Sequence, residues 1–368
     1  MIYLDNGATS MEKPWSVCQS VCRAMNVCGN PGRGGYPASM EAARVVYRCR
    51  ERASELFDCQ PEQVVFTANC THGLNMAIRS LVSPGERVAI SGFEHNAVTR
   101  PLHLLGAKTL VAGQKLFDPD DTLKSFEKVL QSGVKAAVFT HVSNVFGYIL
   151  PIKEMAVLCR KYRVPFIIDA AQSAGILPVH LRELGADFIA MPGHKGLLGP
   201  QGTGLLLCGR ELTPLLAGGT GSESRNQNMP EALPERGEAG TLNVPGIAGL
   251  SAGIGYISQQ GLDRIFAREE RQMRRCVRGL QALDLPVFAG RQQIGTVSFV
   301  PPRDCQEFSE ALAGRGIAVR GGLHCAPLAH QSAGTLESGT VRVSFGHNAS
   351  DRQTDIFIGE VKKVLSGQ

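Results

Sequence analysis

Two segments of this 368-residue chain bring opposite charges to the ends of apolar runs. In FIIDAAQSAG (Phe166 to Gly175) a short apolar run delivers Asp169, and in ADFIAMPGHKGLLGPQGTG (Ala186 to Gly204) a similar run ends in Gly193-His194-Lys195. A carboxylate and an amine at neighbouring strand ends suit pyridoxal 5'-phosphate, which needs a partner for its charged ring nitrogen and an imine-forming lysine. The lysine becomes usable once nearby positive charge or burial lowers its pKa, and a buried aspartate keeps the ring nitrogen protonated so that the ring draws electrons. Taken singly, each is an ordinary strand-end or loop residue.

Several elements must position these groups. Short apolar strands are expected at Val64–Thr67, Arg87–Ser91, Ala136–His141, Pro165–Asp169, Phe188–Met191 and Gly204–Cys208, alternating with helices such as Thr71–Val82 and Ile152–Tyr162. That alternation predicts an α/β fold with a mostly parallel sheet covered on both faces and its ligand at the strands' carboxyl ends. Ser39 is expected to cap a helix with apolar positions Met40, Ala43, Val46, Tyr47, Ala53, Leu56 and Phe57. Beyond about residue 250 the pattern shifts to a long charged helix, the strand-like IGTVSFV and a final helix from Thr354, consistent with a smaller α+β domain. The expected division is 14–255 for the large domain, with 1–13 and 256–368 forming the small one.

Composition excludes the extreme classes. With 43% hydrophobic residues the chain can bury a large core, and 38 basic against 33 acidic residues leave a net charge of +5. The densest basic stretch, AREERQMRRCVR, interleaves acids and reads as a solvated helix face, so no nucleic-acid partner is expected. No signal-like or membrane-spanning stretch is evident, and a cytoplasmic protein is expected. The eleven cysteines lack a disulfide framework and should be reduced thiols. Trp15, Cys18, Val21, Cys22 and Met25 recur at helical spacing and are read as core packing, with no metal site at Cys18, Cys22 and Cys28.

The motifs in order, from YLDNGATS (Tyr3 to Ser10) to VRVSFGHNASDRQTD (Val341 to Asp355), resemble the class V aminotransferase family of fold type I pyridoxal phosphate enzymes, and within it the cysteine desulfurases and selenocysteine lyases. The resemblance implies that the strand-to-helix turn at Cys70 and Thr71 holds the cofactor phosphate, although a threonine is usual at Cys70. It implies that His95 lies over the pyridine ring and moves protons, that Asn144 and Gln172 reach the ring hydroxyl, and that His194 contacts the phosphate. Pro192 departs from the usual serine or threonine and removes one phosphate donor. Thr241, in Gly240-Thr241-Leu242-Asn243, matches a threonine that reaches the phosphate of a second subunit, implying a homodimer.

The segment Arg320-Gly321-Gly322-Leu323-His324-Cys325-Ala326 resembles the R-x-G-x-H-C-A pattern of the second group of cysteine desulfurases. A thiol beside a histidine in a glycine-flanked loop is a candidate nucleophile toward sulfur. The resemblance makes Arg342 the clamp for the substrate carboxylate, a task suited to a planar guanidinium, with Arg320 a further substrate-binding candidate. The expected activity converts L-cysteine to L-alanine and leaves a persulfide on Cys325 for a sulfur-acceptor protein. Selenocysteine lyase is the alternative on the same scaffold. Transaminase, epimerase and hydrolase readings are disfavoured by Cys325, and a non-catalytic sulfur carrier by the retention of Lys195, Asp169, Arg342 and Cys325 together.

Overall fold

The protein is described by a computed structural model covering residues 1–32 and 34–367. Its central sheet has seven strands in the order Val64–Thr67, Gly204–Cys208, Phe188–Pro192, Phe166–Asp169, Ala136–Thr140, Arg87–Ser91 and Lys108–Ala112. All run parallel except Gly204–Cys208, which is antiparallel to both neighbours. The strands Ala136–Thr140, Phe166–Asp169 and Phe188–Pro192 are buried at every position, as a sheet with helices on both faces requires. Two hydrophobic clusters fill those faces: one holds Phe139, Phe166 and Met191, the other Val138, Ile167 and Ala190.

The carboxyl-terminal part builds an antiparallel sheet in the order Arg320–Gly322, Thr340–Ser344, Thr296–Phe299 and Val287–Phe288, with a separate core around Phe299, Phe308, Val343 and Phe357. Leu4 joins that core, and Ile2–Tyr3 pairs in parallel with Ile317–Ala318. The basic stretch lies on helix Leu262–Gln281, where Arg271 and Arg275 pair with Asp351 and Asp355 of helix Asp351–Ser366.

Two local expectations are corrected. Helix Pro37–Phe57 starts two residues before Ser39, because Pro37 has its φ preset for a first helical position. The Ser39 hydroxyl instead accepts from the Gly34 amide and donates to the Asn30 carbonyl, fixing the loop that precedes the helix. In helix Trp15–Val27 the buried residues are Val17 and Ala24, whereas Trp15, Cys18, Cys22 and Met25 are exposed. That helix packs on Val244–Gln260 with Val21 against Gly249, where the missing side chain allows close approach, so of the expected core positions only Val21 turns inward. Met40 and Tyr47 on the next helix are exposed as well. Among the described residues, no helix is long and apolar enough to cross a membrane.

Candidate active site

The strands ending at Asp169 and Pro192 are hydrogen-bonded neighbours with Asp169 opposite Ala190, so their carboxyl ends open on one cleft of about 100 Å³. Cys70, Thr71, His95, Asn144, Asp169, Gln172, His194 and Lys195 all line it, contributed by five separate strand ends and the segments after them. Asp169 is 2% exposed; its Oδ1 accepts from the Ala171 amide at 2.9 Å and from the Cys70 thiol at 3.4 Å. Burial, and then the charge of Arg342, pull the Lys195 pKa below its ordinary value, which favours a neutral amine.

Helix Cys70–Leu81 begins at this cleft with Asn69 as its cap, the Asn69 side chain accepting from the His72 amide. The amides of Cys70 and Thr71 head the helix, an arrangement suited to a phosphate. His95 caps the next helix, Asn96–Leu104, by accepting from the Ala97 amide through Nδ1. The neutral ring therefore carries its proton on Nε2, and burial lowers its pKa. Glu94, which the sequence reading passed over, ties this corner together. Its Oε1 accepts from the Thr140 and Ser91 amides across two strands, and burial raises its pKa to about 8.

His194 is half-buried with its pKa lowered to about 4 by burial and by Lys195, and its Nδ1 meets the Thr9 hydroxyl at 3.0 Å. It offers an anion a neutral N–H rather than a charge. Gln172 donates to the Gly7 carbonyl, and Asn144 donates to the His324 carbonyl while its buried Oδ1 has no partner among the described residues. An orphaned acceptor, a helix amino end, a carboxylate and a depressed lysine make a donor set that fits pyridoxal phosphate.

Cys325 is exposed, and its loop is hydrogen-bonded to residues beside this cleft. Its carbonyl accepts from the Asn96 amide at 2.8 Å, directly after His95, and the preceding carbonyl takes the Asn144 bond. Both His324 and Cys325 have positive φ, 51° and 58°, a backbone state that non-glycine residues hold only when their surroundings enforce it. The His324 ring is buried with Nε2 at the Thr340 carbonyl, and burial drives its pKa to about 2, so it is neutral.

Arg342 and Arg320 face each other across neighbouring strands, Arg320 exposed and Arg342 only 1% exposed. Arg342 does not line the cleft with Lys195; it pairs with Asp5 at 2.6 Å and donates to the Asn144 carbonyl at 3.0 Å. Thr241 is also absent from the cleft and lines a surface groove with Tyr47, Arg50 and Glu238.

The aminotransferase class-V family model matches residues 2–357. Named relatives are probable cysteine desulfurases of Pyrococcus abyssi, 32% identical over 99% of this chain and 94% of the relative, and of Methanothermobacter thermautotrophicus, 30% identical over 100% and 95%. The apo structure of a cysteine desulfurase from Thermococcus onnurineus NA1 superposes with a TM-score of 0.90 at 31% identity, over 100% of this chain and 95% of that one.

Proposed function

The chain belongs to the class-V aminotransferase family, and we propose that within it the protein is a pyridoxal phosphate-dependent cysteine desulfurase. It converts L-cysteine to L-alanine and keeps the sulfur as a persulfide on Cys325. The observation that carries this reading is the docking of the Cys325 loop against the cleft, on Asn144 of its wall and on Asn96 next to His95. A transaminase has no use for a thiol held there.

Asp169 would hold the ring nitrogen, the head of helix Cys70–Leu81 the phosphate, and Lys195 the reactive carbon. When bound, the cofactor supplies an electron sink for the substrate's Cα. Lys195, its pKa lowered, takes the Cα proton and returns a proton to the substrate framework. The Cys325 thiolate attacks the substrate sulfur; an S–S bond forms, the Cβ–S bond breaks, and the pair left on Cβ takes a proton to give alanine. Cys325 then carries an added sulfur for a protein acceptor.

We further propose a homodimer and the domain division given above. The dimer is supported by the apolar surface at Trp15, Met25, Met40 and Tyr47, exposed by 46 to 73%, and by Thr241 opening on the groove beside Tyr47. None of the eleven cysteines, all within the described residues, is paired, which supports a reducing compartment such as the cytoplasm. The test is to incubate the protein with cysteine and with selenocysteine, quantify alanine with sulfide or selenide, and locate added sulfur by mass spectrometry. Alanine formed without sulfur on Cys325 would overturn the assignment.

A further inference from the structure

Arg342, the residue assigned to the substrate carboxylate, already holds a carboxylate. The Asp5 Oδ1 lies 2.6 Å from its Nη2, and the segment that carries Asp5 lies across the guanidinium. A side chain at Gly7 would come within 3.2 Å of the Arg342 Cζ, closer than ordinary packing, so the absent side chain lets the segment lie tight against the guanidinium. The segment is fastened at both edges. On one side the Asn6 side chain and the Gly7 amide bond Ser344. On the other, Gly7 accepts from Gln172, and Ser10 donates to the His194 carbonyl through its amide and its hydroxyl. Tyr3 donates to the Asp5 and Thr9 carbonyls, bracing the turn between.

With Arg342 1% exposed, no substrate carboxylate reaches it in this arrangement. A buried guanidinium stripped of its partner would be an uncompensated charge, so some carboxylate must stay with it. We propose that Asp5 is a positioning residue that stands in for the substrate's α-carboxylate, keeping Arg342 paired in the empty site and yielding it when an amino acid binds. Substrate entry is then an exchange of one carboxylate for another, coupled to release of the segment 5–10. Because that segment is bonded to Gln172 and His194, the exchange is felt at the cofactor cleft.

This inference rests on the desulfurase reading only for the role of Arg342, and its test does not need turnover. L-Alanine carries the carboxylate and no sulfur, and ethylamine carries the amine alone; both are titrated calorimetrically into the holoenzyme and its Asp5→Asn variant. The variant should bind alanine about tenfold more tightly and ethylamine unchanged, while its unliganded form melts at a lower temperature. A purely structural Asp5 would lower the melting temperature without tightening alanine binding, and that outcome, or failure of alanine to bind either protein, overturns the proposal. Should the variant not fold, hydrogen exchange on the wild type decides: alanine should speed exchange at residues 2–10, and unchanged or slower exchange rejects the idea. Absence of alanine production from cysteine would sink the proposed activity yet leave the Asp5 measurement intact.

Discussion

The Cys70 thiol sits 3.4 Å from the Asp169 carboxylate, so the residue that replaces the family's usual phosphate-side threonine is turned toward the group assigned to the ring nitrogen. Burial, then the Asp169 charge, push the Cys70 pKa well above its ordinary value, leaving a neutral donor. Cys70→Ala removes that donor from a buried carboxylate and should weaken cofactor retention by about 1–3 kcal/mol. Cys70→Thr should retain or improve it. Equilibrium dialysis of the cofactor against each variant provides the measurement, and equal affinity in all three proteins would refute the role.

Lys195→Ala should abolish alanine production while the fold persists, because among the described residues no other side-chain amine lines the cleft. Borohydride treatment followed by peptide mapping should find the cofactor on Lys195 in the wild type and nowhere in the variant. A labelled lysine elsewhere would reassign the site.

Cys325→Ser should keep cofactor binding and lose persulfide formation, since a hydroxyl is a poor nucleophile toward sulfur. In wild-type protein treated with cysteine, tandem mass spectrometry should find one additional sulfur on the peptide containing Cys325.

Glu269 is 3% exposed, and burial alone raises its pKa to about 8. Because the folded value lies above the unfolded one, the folded protein holds a proton that the unfolded chain sheds. The resulting stability is full below the ordinary carboxylate range and is lost as pH rises toward 8. Glu269→Gln should therefore gain melting temperature relative to the wild type between pH 5 and about pH 8. Parallel curves for the two proteins across that range would show that Glu269 is not the titrating group.

If Thr241 completes the neighbouring subunit's phosphate site, mixing Lys195→Ala with Thr241→Ala proteins should restore one intact site per heterodimer. Recovered cofactor affinity after subunit exchange is the expected result, and a fully active monomer in light scattering excludes it.

The sheet was legible in the sequence because its strands are short, mostly apolar and bounded by turns; Val64–Thr67, Arg87–Ser91 and Gly204–Cys208 match residue for residue. The edge strand Lys108–Ala112 escaped notice because Lys108 and Thr109 face solvent and break the apolar run. The residues assigned to the cofactor were picked out by their motifs, and eight of them share one cleft. The pairing of Asp5 with Arg342 was not, since nothing local marks a contact between residues 337 positions apart. Nor did helical spacing in Trp15–Val27 say which of two apolar faces turns inward.

The outward face of that helix makes the protein's own sulfur an indicator of its assembly. Of the three exposed thiols, Cys18 and Cys22 lie on it and only Cys325 belongs to the loop beside the cleft. A lone chain titrated with a thiol reagent would offer it Cys18 and Cys22 as well as Cys325, whereas a chain whose helix is covered by another copy would consume fewer equivalents. Counting titratable sulfur under native conditions thus reports association state and nucleophile accessibility in a single number.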